Sequence, residues 1–152
     1  MTNSKDIIDG IEDQIEKLAN TPPFNSAFFG DLNNNLSFPA LQFILKSRAT
    51  FDPPQIRHLT MQLRWELTYD VQVMYSRLQD NKSWEEARGL VDMAVDLFTN
   101  QMFEGKRLNG LAWYIEPDDV QYGVIVLEPA SRDEYLLGGV FTLKIKFLQG
   151  ID

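Results

Sequence analysis

The chain has 152 residues, no cysteine and a formal net charge of −8 at pH 7, with 44% hydrophobic and 24% charged residues. That length suits one domain, able to hide about 70% of its unfolded surface. The absence of cysteine excludes a disulfide framework, a cysteine nucleophile and a thiolate-ligated metal, and the acidic balance argues against a general nucleic-acid-binding surface.

No apolar run approaches the roughly 20 residues of a membrane span, and no basic-then-apolar start reads as a signal peptide. A cytosolic protein, or one assembled there, is the expectation. In chain order, Ile7, Ile8, Ile11, Ile15 and Leu18 recur at helical spacing, with Asp9, Glu12, Asp13, Glu16 and Lys17 on the other sides. This predicts an amphipathic helix opened by Asn3 or Ser4 and closed before "TPPF". Gly10 weakens it by roughly 1 kcal/mol relative to alanine. A short extended piece around Ala27–Phe29 follows, then a turn-rich stretch over Gly30–Asn35. Next comes a strand in which Leu41, Phe43 and Leu45 alternate with Gln42 and Lys46.

"TFDPPQIR" interrupts that strand. Two adjacent prolines donate no ladder hydrogen bonds, which places them in a turn between antiparallel strands. A long hairpin over residues 39–77 results, its tip near Asp52–Gln55. Its second strand alternates without a break, with Leu59, Met61, Leu63, Trp65, Leu67, Tyr69, Val71, Val73 and Tyr75 on one face. Twenty residues at about 3.3 Å span roughly 65 Å, whereas a domain of this size is about 40 Å across. The strand must bend, carry a bulge, or project beyond its own domain to a partner.

Ser83 and Glu86 then have the spacing of a capping box. Trp84, Ala87, Leu90, Val91, Ala94, Val95, Phe98 and Met102 form the apolar stripe of a second helix, with Arg88 and Asp92 on its solvated side. Three strand-like runs close the chain, "LAWYIE", "YGVIVLE" and "GVFTLKIKFL", separated by "EPDD" and "EPASRDEYLLGG". Gly138–Gly139 reads as the turn into the last run. The order predicts a single α+β domain over residues 1–152, a mostly antiparallel sheet with a long β-hairpin and two main helices packed on one face.

Chemistry is sparse. His58, the lone histidine, has no recognisable nucleophile or carboxylate partner and reads as a strand-end residue. "LLGGV" lacks the lysine and spacing of a phosphate loop. Asp118–Asp119 could hold a divalent cation, but Pro117 and Asp118 favour a turn. The aromatic rings fall on strand and helix core positions. No catalytic, cofactor-binding or metal site is predicted, and the chain does not read as an enzyme. Lys46, Arg48, Arg64, Lys144 and Lys146 fall on even, wet strand positions, while both helices are acid-rich. These bases either pair across strands with Glu66 and Asp70, or form a basic sheet face that meets the acidic surface of the next copy, head to tail.

The succession "IIDGIEDQIEKL", "FPALQFIL", "LTMQLRWELTYDVQV", "EEARGLVDMAVDLF" and "GGVFTLKIKFL" resembles that of the tail terminator (tail completion) proteins of long-tailed bacteriophages. The likeness covers nearly the whole chain and is architectural. It implies a structural virion protein, assembled in the host cytoplasm, that forms a ring of six copies. Such a ring caps the tail tube, stops its polymerisation and joins the tail to the head connector or stopper protein. It also implies a lumen through which DNA passes without specific binding. The partners implied are further copies, the tube protein and the connector, with no membrane and no cofactor. On this reading the interface residues are Phe51, Asp52, Pro53, Pro54 and Gln55 at the hairpin tip. Arg64, Lys144 and Lys146 would join them from the sheet face, and Asp118 and Asp119 from a loop. The alternatives are another tube or neck protein of the same fold, or a non-viral acidic binding or immunity-type module with the long strand bent into its own core.

Overall fold

The computed structural model describes residues 3–30, 37–50, 55–57, 60–77, 84–126 and 135–151. Helix α1 spans Ser4–Ala19, β1 Ser26–Phe29, β2 Ala40–Thr50, β3 Gln55–Arg57, β4 Thr60–Arg77, α2 Trp84–Phe103, β5 Tyr114–Val126 and β6 Tyr135–Ile151. Of the two candidate caps for α1, Asn3 is the one used. Its side-chain oxygen accepts from the Asp6 backbone N–H at 2.9 Å, satisfying a donor that has no partner within the helix.

The strands form one sheet in the order β1-β2-β4-β6-β5, with β3 also pairing β4. Among the described strands only β1 and β2 run parallel. Both helices cover one face of this mostly antiparallel sheet, so the fold is α+β. Ile11 and Ile15 of α1 and Leu90, Val91, Ala94 and Phe98 of α2 join a single core with Phe43, Leu67, Tyr69, Val71, Phe141 and Leu143. Trp65, Leu67, Tyr69, Val71, Val73 and Tyr75 of β4 face that core, because alternate side chains of a strand point to one side.

The long strand is real and central. β4 is one strand of 18 residues, and it pairs with the 17-residue β6 from Met61↔Ile151 to Arg77↔Leu136. At about 3.3 Å per residue it measures roughly 60 Å. It carries an irregularity between Met74 and Ser76. Toward the other end, the last fully buried of the described residues are Leu67 on β4 and Phe147 on β6. Thr60–Arg64 runs on past Trp65, alongside the end of β6. The strand is thus bulged, and among the described residues Leu63 and Arg64 carry it beyond Trp65, which still packs against the core.

Several expectations need correcting. The hairpin reverses between Arg57 and Thr60, not at the prolines, because Gln55, Ile56 and Arg57 pair with Gln62, Met61 and Thr60. "EPDD" lies within β5, which is a single strand with a register shift between Asp118 and Gln121. Leu45 is exposed and Gln42 is buried, its Nε2 donating to the Gly30 carbonyl at 2.7 Å. Trp84, assigned to the apolar stripe of α2, is exposed.

Gly138 and Gly139 are also not a turn; both lie inside β6. A Cβ at Gly138 would stand 1.8 Å from the Val73 carbonyl oxygen, and one at Gly139 would stand 2.4 Å from that of Gln121 and 2.9 Å from Val91 Cγ2. No side chain fits there without moving backbone. The two glycines let β4, β5 and α2 approach β6 where both neighbouring registers shift.

Candidate interaction surface

The even-numbered side of β4 and its partners faces away from the helices. Among the described residues, four cations lie on this open face, Lys46, Arg64, Lys144 and Lys146, against four carboxylates, Glu66, Asp70, Glu116 and Asp118. Lys46 is 3.6 Å from Asp70, Lys144 is 3.6 Å from Asp118, and Lys146 is 3.9 Å from Glu66. Lys146 Nζ also lies 5.3 Å from the Tyr114 ring centroid, and the Arg64 guanidinium 5.9 Å from that of Trp113. Among the described residues, cross-strand pairing therefore describes this face, with cations and carboxylates in equal number.

Arg48 is not on it. The β2 register shifts between Leu45 and Ser47, which sets Arg48 opposite Leu67, on the helix side. There it donates to Ser4 Oγ at 2.7 Å and lies 4.3 Å over the Trp65 ring. Parity counting fails across a bulge, because the extra residue turns every later side chain over.

Of the predicted interface residues, Arg64, Lys144, Lys146 and Asp118 share the open face. Asp119 sits beside them in the β5 irregularity, with φ of 51°, its N–H donating to Asp118 Oδ1 at 2.8 Å. Gln55 lies in β3, opposite Gln62. Phe51, Asp52, Pro53 and Pro54 fall outside the described residues, as do His58 and the proposed cap Ser83.

Three tyrosine hydroxyls tie the sheet to the helices. Tyr69, fully buried, donates to Glu12 Oε1 of α1 at 3.1 Å. Burial, reinforced by the carboxylate, pushes this phenol far above its ordinary range. Burial likewise raises Glu12, against the lowering effect of the Tyr69 hydrogen bond, and Asp9 and Glu16 add to the rise. Tyr75 donates to Glu86 and Tyr122 to Asp92, both on α2.

A second surface was not foreseen. The α2–β5 connection makes a left-handed turn in which Arg107, Leu108 and Asn109 have φ of 47°, 52° and 58°, bracketed by Gly105 and Gly110 at 70° and 82°. Three consecutive non-glycine residues in this region are strained, and the surroundings hold them there. Leu108 N–H donates to the buried Gln101 Oε1 at 3.1 Å, Arg107 N–H to the Gln101 carbonyl at 3.2 Å, and Ala112 N–H to the Arg107 carbonyl at 3.1 Å. Leu108 and Ala112 anchor the knuckle in the core. Phe103 is 83% exposed, and Lys106, Arg107 and Trp113 are exposed as well, whereas Leu111 leans on α1, its Cδ1 3.2 Å from where a Cβ at Gly10 would stand. Two glycines bracketing "KRLN" were the available signal; Trp113 had been absorbed into a predicted strand core that begins only at Tyr114.

Comparison with known protein families and with curated proteins finds no match for this chain.

Proposed function

We propose that this chain is a structural protein of a long-tailed phage, a terminator whose copies close into a ring on the end of the tail tube. The observation that carries the proposal is the β4–β6 ribbon. Two adjacent strands of 18 and 17 residues pair over nearly their whole length and run on past Leu67 and Phe147, the last fully buried of the described residues, while both helices stay on one face. Such a ribbon supplies a surface for neighbouring subunits that a domain with strands of ordinary length, about five or six residues, lacks. The ring would halt tube growth by occupying its end and present its other side to the head connector or stopper. The reading assigns no catalysis and no cofactor. An acidic chain at −8 lining a conduit would let DNA pass without sticking, since like charge repels.

One observation favours a rival. The balanced charges of the open face lack the single sign that would drive head-to-tail docking there, which suits an acidic binding module acting as a monomer. The two readings part in one experiment. Purified protein is examined by light scattering and electron microscopy across concentration, alone and with polymerising tube protein. Rings, or tubes whose growth stops when the protein is added, support the terminator. A monomer that leaves tube length unchanged sinks it.

A further inference from the structure

We propose that Asn109–Gly110 is a masked deamidation site: the left-handed turn of the knuckle holds the dipeptide shut, and opening of that turn commits the loop to an irreversible covalent change. The inference stands apart from the tail-tube reading and holds whatever the chain assembles with.

The residues that make the turn also carry its hazard. Asn–Gly occurs once in the sequence. At φ of 58° and 82° the pair sits where asparagine is tolerated better than most residues and glycine bears no steric penalty. The same pair is chemically labile, because a glycine leaves the nitrogen that follows asparagine unhindered. In the reaction the Gly110 amide nitrogen gives its proton to water and bonds to Asn109 Cγ. The Cγ–Nδ2 bond breaks, and ammonia leaves with a proton returned from solvent. The five-membered imide then takes up one water molecule. Opening at the side-chain carbonyl gives aspartate, and opening at the main-chain carbonyl gives isoaspartate. Nothing is oxidised or reduced.

The turn opposes ring closure in three ways. Gly110 N–H donates to the Lys106 carbonyl at 3.0 Å and to the Arg107 carbonyl at 3.1 Å, so its proton is engaged. The left-handed conformation brings a residue's own carbonyl oxygen toward its Cβ, which sets the next nitrogen on the side away from Cγ. The segment cannot swing alone, because its flanks are tied. Leu108 N–H is held by Gln101 Oε1 and Ala112 N–H by the Arg107 carbonyl, each at 3.1 Å, with Leu108 and Ala112 seated in the core. Asn109 and Gly110 are themselves exposed. Water therefore reaches the site, and conformation rather than burial keeps it closed. Isoaspartate lengthens the main chain by one methylene between Arg107 and Ala112, so the loop cannot regain both seats and its hydrogen bonds together.

The test uses the full chain, aged in mildly alkaline buffer, folded and in denaturing guanidinium. Conversion is read by mass spectrometry on the tryptic peptide that begins at Leu108, with isoaspartate told from aspartate by chromatography. The folded chain should convert at least about tenfold more slowly, since the reaction then draws only on the open population. Equal rates overturn the proposal, and this comparison needs no variant. Gln101→Ala leaves the Leu108 N–H without its acceptor and should speed conversion in the folded chain about tenfold. An unchanged rate in a folded Gln101→Ala chain would show that the turn is not the lock. Asn109→Gln, whose ring would need an extra member, should abolish the signal; a signal that persists places the reaction elsewhere and overturns the assignment. The purified isoaspartate form should lose hydrogen-exchange protection at Gly110 and Ala112 while that of β4 is kept. Protection restored at both amides would overturn the irreversibility.

Discussion

The two faces of β4 take alternate residues of one strand, yet they hold together in different ways. On the helix side, Leu67, Tyr69, Val71 and Val73 are fully buried, and their stability comes from apolar area and close fit. On the open side, Arg64, Glu66, Thr68 and Asp70 remain partly solvated, and Asp70 and Glu66 meet lysines across the strands at 3.6 and 3.9 Å. A buried side chain is worth a few kcal/mol, whereas an exposed ion pair is worth about 0–1 kcal/mol. The covered face therefore fixes the fold, and the open face is free to be shaped by what it touches.

The largest expected effect lies on the covered face. Phe98 of α2 is fully buried, its ring 5.9 Å from that of Phe43 and 6.2 Å from that of Phe141. Phe98→Ala opens a cavity between helix and sheet and should cost about 4 kcal/mol. Urea denaturation measures it, and a loss below about 1 kcal/mol would mean that the helix and sheet are not packed as described.

Next come the glycines of β6. Gly138→Ala drives a methyl into the Val73 carbonyl and should cost about 3 kcal/mol, because the obstacle is backbone. Gly150→Ala is the control on the same strand, with nothing within 4 Å of the added carbon, and should change stability by less than about 1 kcal/mol. Equal losses at both positions would break the distinction between core and ribbon end.

These glycines also mark the limit of what the sequence discloses. Period-two and helical spacing located both helices, the long strand and the layer arrangement, because burial of one face imposes that spacing directly. The irregularities in register were not legible. Whether "GG" turns or lies flat in a strand depends on how close Val73 and Gln121 come, which is a matter of tertiary approach. "EPDD" reads as a turn by local chemistry, yet β6 continues past it and keeps Pro117 opposite Leu143. The candidate surface suffered most, since the knuckle arises from a left-handed turn held by Gln101, a residue seven positions from Leu108.

A smaller effect should appear where a polar pair crosses into the covered face. Tyr69→Phe removes the hydrogen bond to Glu12 and should cost about 1–2 kcal/mol at neutral pH. The pH dependence has a definite sign. The carboxyl of Glu12 is held above its ordinary 4.5 when folded, so in that range the folded chain binds more protons than the unfolded one. The Glu12 contribution is most favourable below about 4.5 and is lost as pH rises through the elevated folded value. Glu12→Gln still offers Tyr69 an acceptor and should flatten that part of the profile in denaturation curves taken at successive pH. An unchanged slope would remove burial as the cause.

The smallest expected difference is the sharpest test of the two faces, because it compares two bases only two residues apart. Lys46 and Arg48 look equivalent by parity, but the β2 irregularity sends Lys46 to the open face and Arg48 to the helix side. Lys46 has one carboxylate, Asp70, at 3.6 Å with both side chains about half exposed, so Lys46→Ala should cost less than about 0.5 kcal/mol. Arg48 clasps the first residue of α1 through Ser4 and covers the Trp65 ring. Losing a hydrogen bond and a cation–π contact together should cost about 1 kcal/mol. Salt separates them further, since raising ionic strength screens an exposed pair and leaves a ring contact largely intact. Arg48→Ala should therefore keep its cost in high salt while that of Lys46→Ala vanishes. Equal costs, falling together with salt, would return Arg48 to the open face and erase the bulge that separates it from Lys46.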